Sequence, residues 1–285
     1  MCPDKQIFKF KWVYPMNKKI NVNDQQIETF QKEGVVLIKG LFDDWVDVIR
    51  AGIEYNMENP GPYAAENLKE GENGRFFDDY CNWPRIPEFE DVIKNSDAGR
   101  VAAALMKSNE VQIFHDHVLV KEPGTSKPTP WHQDSPYYFV DGKQNVSFWS
   151  PMDHVTSATL RLVSGSHLWP KPVLPTKWLS EDNFFPDDDK YMSVPDPDTD
   201  PNNYKIVEWE MEPGDAVAFN YKILHGARGN DLSTRRRAFS VRFVGDDARY
   251  VSRPGPTSPP YPGHNMVDGE RLREDWFPTV YSSRS

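Results

Sequence analysis

The chain has 285 residues, 38% of them hydrophobic and 13% aromatic, and carries a net charge of −10. It is long enough to bury a sizeable core. The acidic balance argues against nucleic acid, no run approaches the roughly 18 apolar residues of a membrane span, and two cysteines (Cys2, Cys81) cannot build a disulfide framework or a thiolate cage.

In chain order, VNDQQIETFQKEG (22–34) predicts a helix capped by Asn23 or Asp24 and ended by Gly34. VVLIKGLF (35–42) reads as a buried strand and turn, 43–57 as a helix, and 88–108 as a further helix. From about residue 110 short β-rich runs take over, at 111–120, 145–152, 158–167, 204–211, 215–223 and 236–245, separated by turns such as KEPGTSKP, EPGD and HGARGND. The Pro- and Asp-rich stretch 185–203 reads as a long loop, and loops of that length in compact domains often serve function. Helices followed by many short strands predict an antiparallel sandwich or barrel with helices packed outside. The opening residues, MCPDKQIFKFKW, hold no apolar stretch suited to a secretion signal, which leads to the expectation of a cytoplasmic protein.

The stretch TPWHQDSPYY (129–138) sets His132 and Asp134 two apart among aromatic residues. In a strand, residues i and i+2 share a face, so both would aim at one point while Gln133 faces elsewhere. One more histidine from a distant strand would give three facial metal ligands with open positions beside them. Seven histidines are available, at 115, 117, 132, 154, 167, 225 and 264. His225 ends the predicted strand DAVAFNYKIL and precedes a glycine, and RRRAFS follows some ten residues later. His-x-Asp, a remote His and then Arg is the set that a 2-His-1-carboxylate iron site needs if it also holds a dicarboxylate. A surface turn at 132–134 and a strand-capping His225 form the competing reading.

WHQD, FWSPMD, ATLRLVSGSH, EPGDAVAFNYKILHGARGN and RRAFSVRFVGDD, taken together and in this order, resemble the successive signatures of the phytanoyl-CoA dioxygenase family, over about residues 25–280. The resemblance implies a mainly β chain with a double-stranded β-helix (jelly-roll) core and flanking N-terminal helices. It implies one domain over 1–285, with a helical part at about 22–108, the core at about 110–250 and an extension at 251–285. It also implies Fe(II), 2-oxoglutarate as cosubstrate and O2, with release of succinate and CO2 and hydroxylation of a substrate C–H. His132, Asp134 and His225 match the iron ligands, Arg236 the residue that binds the far carboxylate of 2-oxoglutarate, and Trp149 and Thr129 its neighbours. Strand alternation turns Arg235 and Arg237 away from Arg236. Asp134 occupies the position that related halogenases give to a small residue, which favours hydroxylation.

His115 and His117 share a face of VQIFHDHVLV, and His117 is a candidate cosubstrate contact if that face is inward. Gln133, Tyr137, Tyr138 and Arg161 are candidate substrate contacts, with packing or an internal carboxylate as the bland alternatives. His167 reads as structural. The expected partner is a small polar metabolite, with no nucleic acid and no membrane, and the oligomeric state is open. A non-catalytic jelly-roll binding protein, a zinc hydrolase on the same ligands, and an oxygenase acting on an acyl-CoA or natural-product intermediate are the alternatives. The loop 185–203 and the segment 63–85 are candidate lids over the site.

Overall fold

Asn23 caps α1 (Asp24–Glu33) through a reciprocal box: its side chain accepts from the Gln26 amide, and the Gln26 side chain accepts from the Asn23 amide. Gly34 ends the helix in the left-handed region, φ 74°, and turns the chain into β1 (Val35–Ile38). These details belong to a computed structural model that describes residues 19–180, 182–186 and 189–284. A 3-10 turn at Asp43–Trp45 leads into α2 (Val46–Glu58). The sequence predicts one helix over 88–108, but two form: α3 (Pro87–Asn95) and α4 (Ala98–Met106). Ser96 is extended between them, and the Asp97 carboxylate takes the Ile20 amide and the Arg100 guanidinium instead of staying within a helix.

Strands make up most of the remainder. The segment expected to be helical also contributes β2 (Ala65–Glu66) and β3 (Phe76–Tyr80). Then follow β4 (Glu110–Lys121), β5 (Thr129–His132), β6 (Val140–Asp141), β7 (Asn145–Pro151), β8 (Leu160–Val163) and β9 (Ile206–Val207). The last are β10 (Ala216–Phe219), β11 (His225–Ala227), β12 (Arg236–Val244), β13 (Arg249–Tyr250) and β14 (Thr279–Ser282). One antiparallel sheet runs β1-β10-β7-β12-β4-β3-β2, with β14 also paired to β4; a second runs β5-β11-β8-β9; β6 and β13 form a ribbon. From β4 onward the chain passes back and forth between the two larger sheets. The chain is mainly β, with four α-helices among the described residues.

Alternation on the large sheet creates two cores. Phe148, Phe239, Val241 and Phe243 face the helices, where Phe239 meets Phe89 with ring centroids 4.9 Å apart. Leu119, Trp149, Val217, Phe219 and Ala238 face the other way and pack against Leu160, Leu162 and Ala227 of the second sheet. Burying both faces explains why these strands read as near-continuous apolar runs.

A bulge in β4 decides which way its histidines point. On β12, Arg242 pairs with His115 and Phe243 with Ile113, so Phe114 is an extra residue with no partner. Val111 and Ile113 face the helices, and strict alternation would send His115 and His117 after them. The extra residue reverses the phase. Val118 and Val120 then face the helices, while His115, His117 and Leu119 face the interior between the sheets.

Gly34 sits where the helical layer meets the site. A Cβ there would lie 2.4 Å from His167 Nδ1 and 2.6 Å from Ile223 Cδ1. Gly34→Ala should therefore cost more than the ~1 kcal/mol of a left-handed Ala alone. The expected outcome is a lower denaturation midpoint with an unchanged slope in a urea titration.

Candidate metal centre and cosubstrate pocket

His132 is the last residue of β5, and His225 the first of β11, directly opposite it in the ladder. Their rings lie 4.2 Å apart between centroids. The sequence places His225 at the end of the strand that holds Ala216–Phe219. That strand instead stops at Phe219, and a turn at 220–224 carries the chain across to the second sheet. Asp134 also departs from the expected strand: its φ of −69° and ψ of −42° are helical, at the start of a 3-10 turn over Ser135–Tyr137. The convergence of His132 and Asp134 therefore comes from a strand running into a turn, while Gln133 faces away as expected.

Each ring has its tautomer set by backbone. His132 Nδ1 lies 2.8 Å from the Pro130 carbonyl and His225 Nδ1 lies 2.9 Å from the Ile223 carbonyl. A carbonyl only accepts, so both Nδ1 atoms carry the proton and both Nε2 atoms keep a lone pair. These lone pairs face Asp134 Oδ1, at 3.7 Å from His132 and 3.8 Å from His225. Asp134 Oδ2 is held from behind by Ser147 Oγ at 3.2 Å, with Arg242 Nε at 3.5 Å. All three residues are buried, with their ligand atoms within 4.8 Å of one another. Burial opposes ionisation of Asp134, but the Arg242 guanidinium beside it outweighs burial, and the carboxyl is held well below its usual range. Burial beside His132 lowers His225 to about 3, so it is neutral and free to ligate. The donor set, two imidazole nitrogens and one carboxylate, suits non-haem iron.

Next to the three lies a pocket lined by Thr129, Trp149, Arg236, Ser240, His117 and Phe219. Arg236 is only 1% exposed. Its Nε and Nη2 have no hydrogen-bond partner among the described residues, and the guanidinium centre lies 5.7 Å from the Trp149 ring centroid. Burial lowers Arg236 to about 10, which still leaves it charged at neutral pH. A buried cation with unused donors fits a carboxylate, which the residues around it do not provide. Arg235 and Arg237 face the helices and pair with Glu54, Glu122 and Asp153.

A larger cavity opens on the other side of His132 and Asp134, bordered by Tyr63, Asp78, Tyr80, His115, His117, Tyr137, Trp178 and Arg242 among others. Tyr137 borders it through its ring, because its hydroxyl donates to the Thr176 carbonyl and accepts from the Thr176 amide. Two candidate substrate contacts do not reach it. The Gln133 amide bridges the Lys222 carbonyl and the Val173 amide. Arg161 lies on the outer face of the second sheet, paired with Asp198 and over the Trp131 ring, because its neighbours Leu160 and Leu162 take the inner face. The internal-carboxylate alternative is the one its position matches.

Segment 63–85 does border the cavity, through Tyr63, Ala65, Asn67, Asp78 and Tyr80. The described part of 185–203 does not. Val194, Pro195, Asp196 and Asp198 lie along the outer groove with Arg161 and Trp131, and residues 176–179 with Phe184 cover the cavity instead; Asp187 and Asp188 fall outside the described residues. Arg242 and Ser147, which grip Asp134, are absent from the sequence reading. Arg242 is six residues after Arg236 and so on the same face, a parity visible in RRRAFSVR.

A model of the phytanoyl-CoA dioxygenase (PhyH) family matches residues 30–238. The chain is 26% identical over 249 residues to the peroxisomal phytanoyl-CoA dioxygenase of Rattus norvegicus, covering 80% of this chain and 70% of that one. It is 31% identical over 216 residues to a probable phytanoyl-CoA dioxygenase of Caenorhabditis elegans, covering 68% and 62%, so the match spans less than two thirds of the worm protein. The fold is similar to that of the epimerase SnoN solved with Fe3+, alpha ketoglutarate and nogalamycin RO, with a TM-score of 0.71 at 17% identity over 90% of this chain and 97% of that one. The chain belongs to the phytanoyl-CoA dioxygenase family and is a 2-oxoglutarate-dependent non-haem iron dioxygenase.

Proposed function

We propose that His132, Asp134 and His225 hold Fe(II), that Arg236 takes the far carboxylate of 2-oxoglutarate, and that the chain, as one oxygenase domain, hydroxylates a C–H of a small polar metabolite. The observation that carries this is Arg236: fully buried, charged, with unused donors, and beside three convergent ligand atoms. A non-catalytic binding protein or a zinc hydrolase on the same ligands would have no use for a carboxylate clamp there. The strand order supports a double-stranded β-helix, because β4, β7, β10 and β12 lie in one sheet while β5, β8, β9 and β11 lie in the other.

Bound iron, with 2-oxoglutarate and O2, supplies the oxidising chemistry: the cosubstrate becomes succinate and CO2, and one oxygen atom enters the substrate. The residues do the rest. The Pro130 and Ile223 carbonyls keep both Nε2 lone pairs pointed inward, and Arg242 with Ser147 keeps Asp134 ionised and leaves its Oδ1 for the metal. Arg236 and the Trp149 ring fix the cosubstrate's distal end in a dry pocket, where charge-assisted hydrogen bonds are strongest. Trp178, 5.1 Å from the His132 ring, walls the reacting centre from solvent.

The substrate cavity is about 410 Å³, within the range of small-molecule sites. Its basic lining residues are Lys177, exposed at the rim, and Arg242, whose Nε donates to Tyr138 and lies beside Asp134 while its Nη1 has no partner among the described residues. That lining suits a small polar molecule better than the polyphosphate of a CoA ester.

His225→Ala should remove iron-dependent succinate release while far-UV circular dichroism stays native; full activity in that variant would sink the ligand assignment. Arg236→Ala should raise the 2-oxoglutarate requirement by on the order of 30-fold, as a truncated buried carboxylate clamp costs roughly 2–5 kcal/mol. Arg235→Ala removes only half-exposed ion pairs and should change it by about 2-fold or less. Saturation curves of succinate release against 2-oxoglutarate measure both.

A further inference from the structure

One wall of the substrate cavity brings together the acceptor groups of Asp78, His115 and His117. Asp78 on β3 is 6% exposed and borders the cavity. Its Oδ1 accepts from Asn67 Nδ2 at 2.6 Å, and its Oδ2 lies 2.9 Å from His117 Nε2. Among the described residues no lysine or arginine comes within 4 Å of it. Burial holds His117 below its ordinary range, so the ring is neutral, donates Nε2–H to Asp78 and keeps Nδ1 as a lone pair. His115 stands beside it on the same face of β4. Its Nδ1 faces the Asp116 carbonyl at 3.1 Å, which makes that nitrogen the donor. Its Nε2 is then an acceptor, and it is buried with no partner among the described residues. Tyr80 contacts both imidazoles, with centroids 6.2 Å from His115 and 5.5 Å from His117, and stacks on Tyr63 at 5.0 Å. Trp178 lies over His117 at 6.2 Å and also meets His132, at 5.1 Å.

A buried carboxylate without a cation beside it, and a buried imidazole lone pair without a donor, are each costly to leave unmatched. One kind of group satisfies both, a positively charged nitrogen that carries hydrogens. Aromatic rings around the site favour the same charge. We infer that this wall is a subsite for an organic ammonium group, so that the substrate is a primary or secondary amine whose N–H donors are taken by Asp78 and the imidazole lone pairs beside it. The inference rests on the oxygenase reading above and narrows its substrate class. Lys177 at the rim does not fill the subsite, because it is exposed, and Arg242 gives its Nε to Tyr138 and lies beside Asp134, not Asp78.

The test is calorimetric titration of the anaerobic Fe(II)- and 2-oxoglutarate-loaded protein with primary amines from methylammonium to hexylammonium, each against the alcohol of equal length. At least one amine should bind about 10-fold or more tighter than its alcohol. Asp78→Asn, which keeps the shape and removes the charge, should weaken that amine by about 10- to 100-fold and its alcohol by less than about 3-fold, the weight of a charge-assisted hydrogen bond away from water. Tyr63→Leu, at the half-buried outer ring of the stack, should weaken the amine by about 3-fold or more, and it keeps the test open if Asp78→Asn does not fold. Equal binding of every amine and its alcohol, or an equal loss of both in Asp78→Asn, overturns the subsite. The visible charge-transfer band of the iron–2-oxoglutarate complex reports the underlying reading separately. If that band is absent, the same titrations on the metal-free protein still decide the subsite, because its residues are not metal ligands.

Discussion

Two guanidinium groups, Arg236 and Arg242, are buried between the sheets on one face of β12, and the site is arranged around them. A buried cation must have a partner, since taking it from water unpaired costs several kcal/mol. Arg242 finds Tyr138 and Asp134 within the chain, and in doing so turns Asp134 toward the two histidines. Among the described residues Arg236 meets the Trp149 ring, and its Nε and Nη2 have no hydrogen-bond partner. In the proposed function, the first arginine along the strand holds the cosubstrate and the second steadies a metal ligand.

The scaffold keeps these charges in place by closing both faces of the large sheet. Helices cover one face through Phe239, Val241 and Phe243, and the second sheet covers the other through Leu160, Leu162 and Ala227. Outward-facing Arg235 and Arg237 meet Glu54 and Asp153 on the helical side, so three consecutive arginines serve two unrelated purposes. In the interior between the sheets, strand ends, turn residues and the bulged β4 all deliver polar atoms. That concentration of paired polar groups in a dry space is what oxidative chemistry near a C–H bond requires.

The substrate cavity divides along the same lines. Toward the metal it carries the ligands and Arg242; toward β3 it carries Asp78, His115, His117 and their tyrosine neighbours. The family name attached to the relatives describes an acyl-CoA, whereas the lining here is largely aromatic, with Asp78 and Asp134 beside Arg242 and Lys177. In the proposed function, substrate choice falls to a few side chains on β3, β4 and the segment around Trp178, while the metal and cosubstrate residues sit on β5, the turn that follows it, β11 and β12.

Sequence by itself was enough to bring out a helix capped by Asn23 and Gly34, the β-rich half, and the parity that buries Arg236 while exposing Arg235 and Arg237 to the helical side. These are local properties: capping, chain reversal at glycine and two-residue alternation depend on neighbours a few positions away. His132, Asp134, His225 and Arg236 were legible because their spacing and order resemble a family's, and the tertiary structure brings them together. It also decided what no local rule contains. The turn at 220–224 moves His225 to the second sheet, and the helical backbone at Asp134 replaces the expected strand. The extra residue at Phe114 reverses β4 and turns His115 and His117 inward, which a strict alternation from Val111 would not. Gln133 and Arg161 were drawn away by Val173, Lys222 and Asp198, and Asp78 was brought in from a segment without periodicity. Each of these depends on partners far along the chain, and packing between distant segments has no signature in the residues on either side of it.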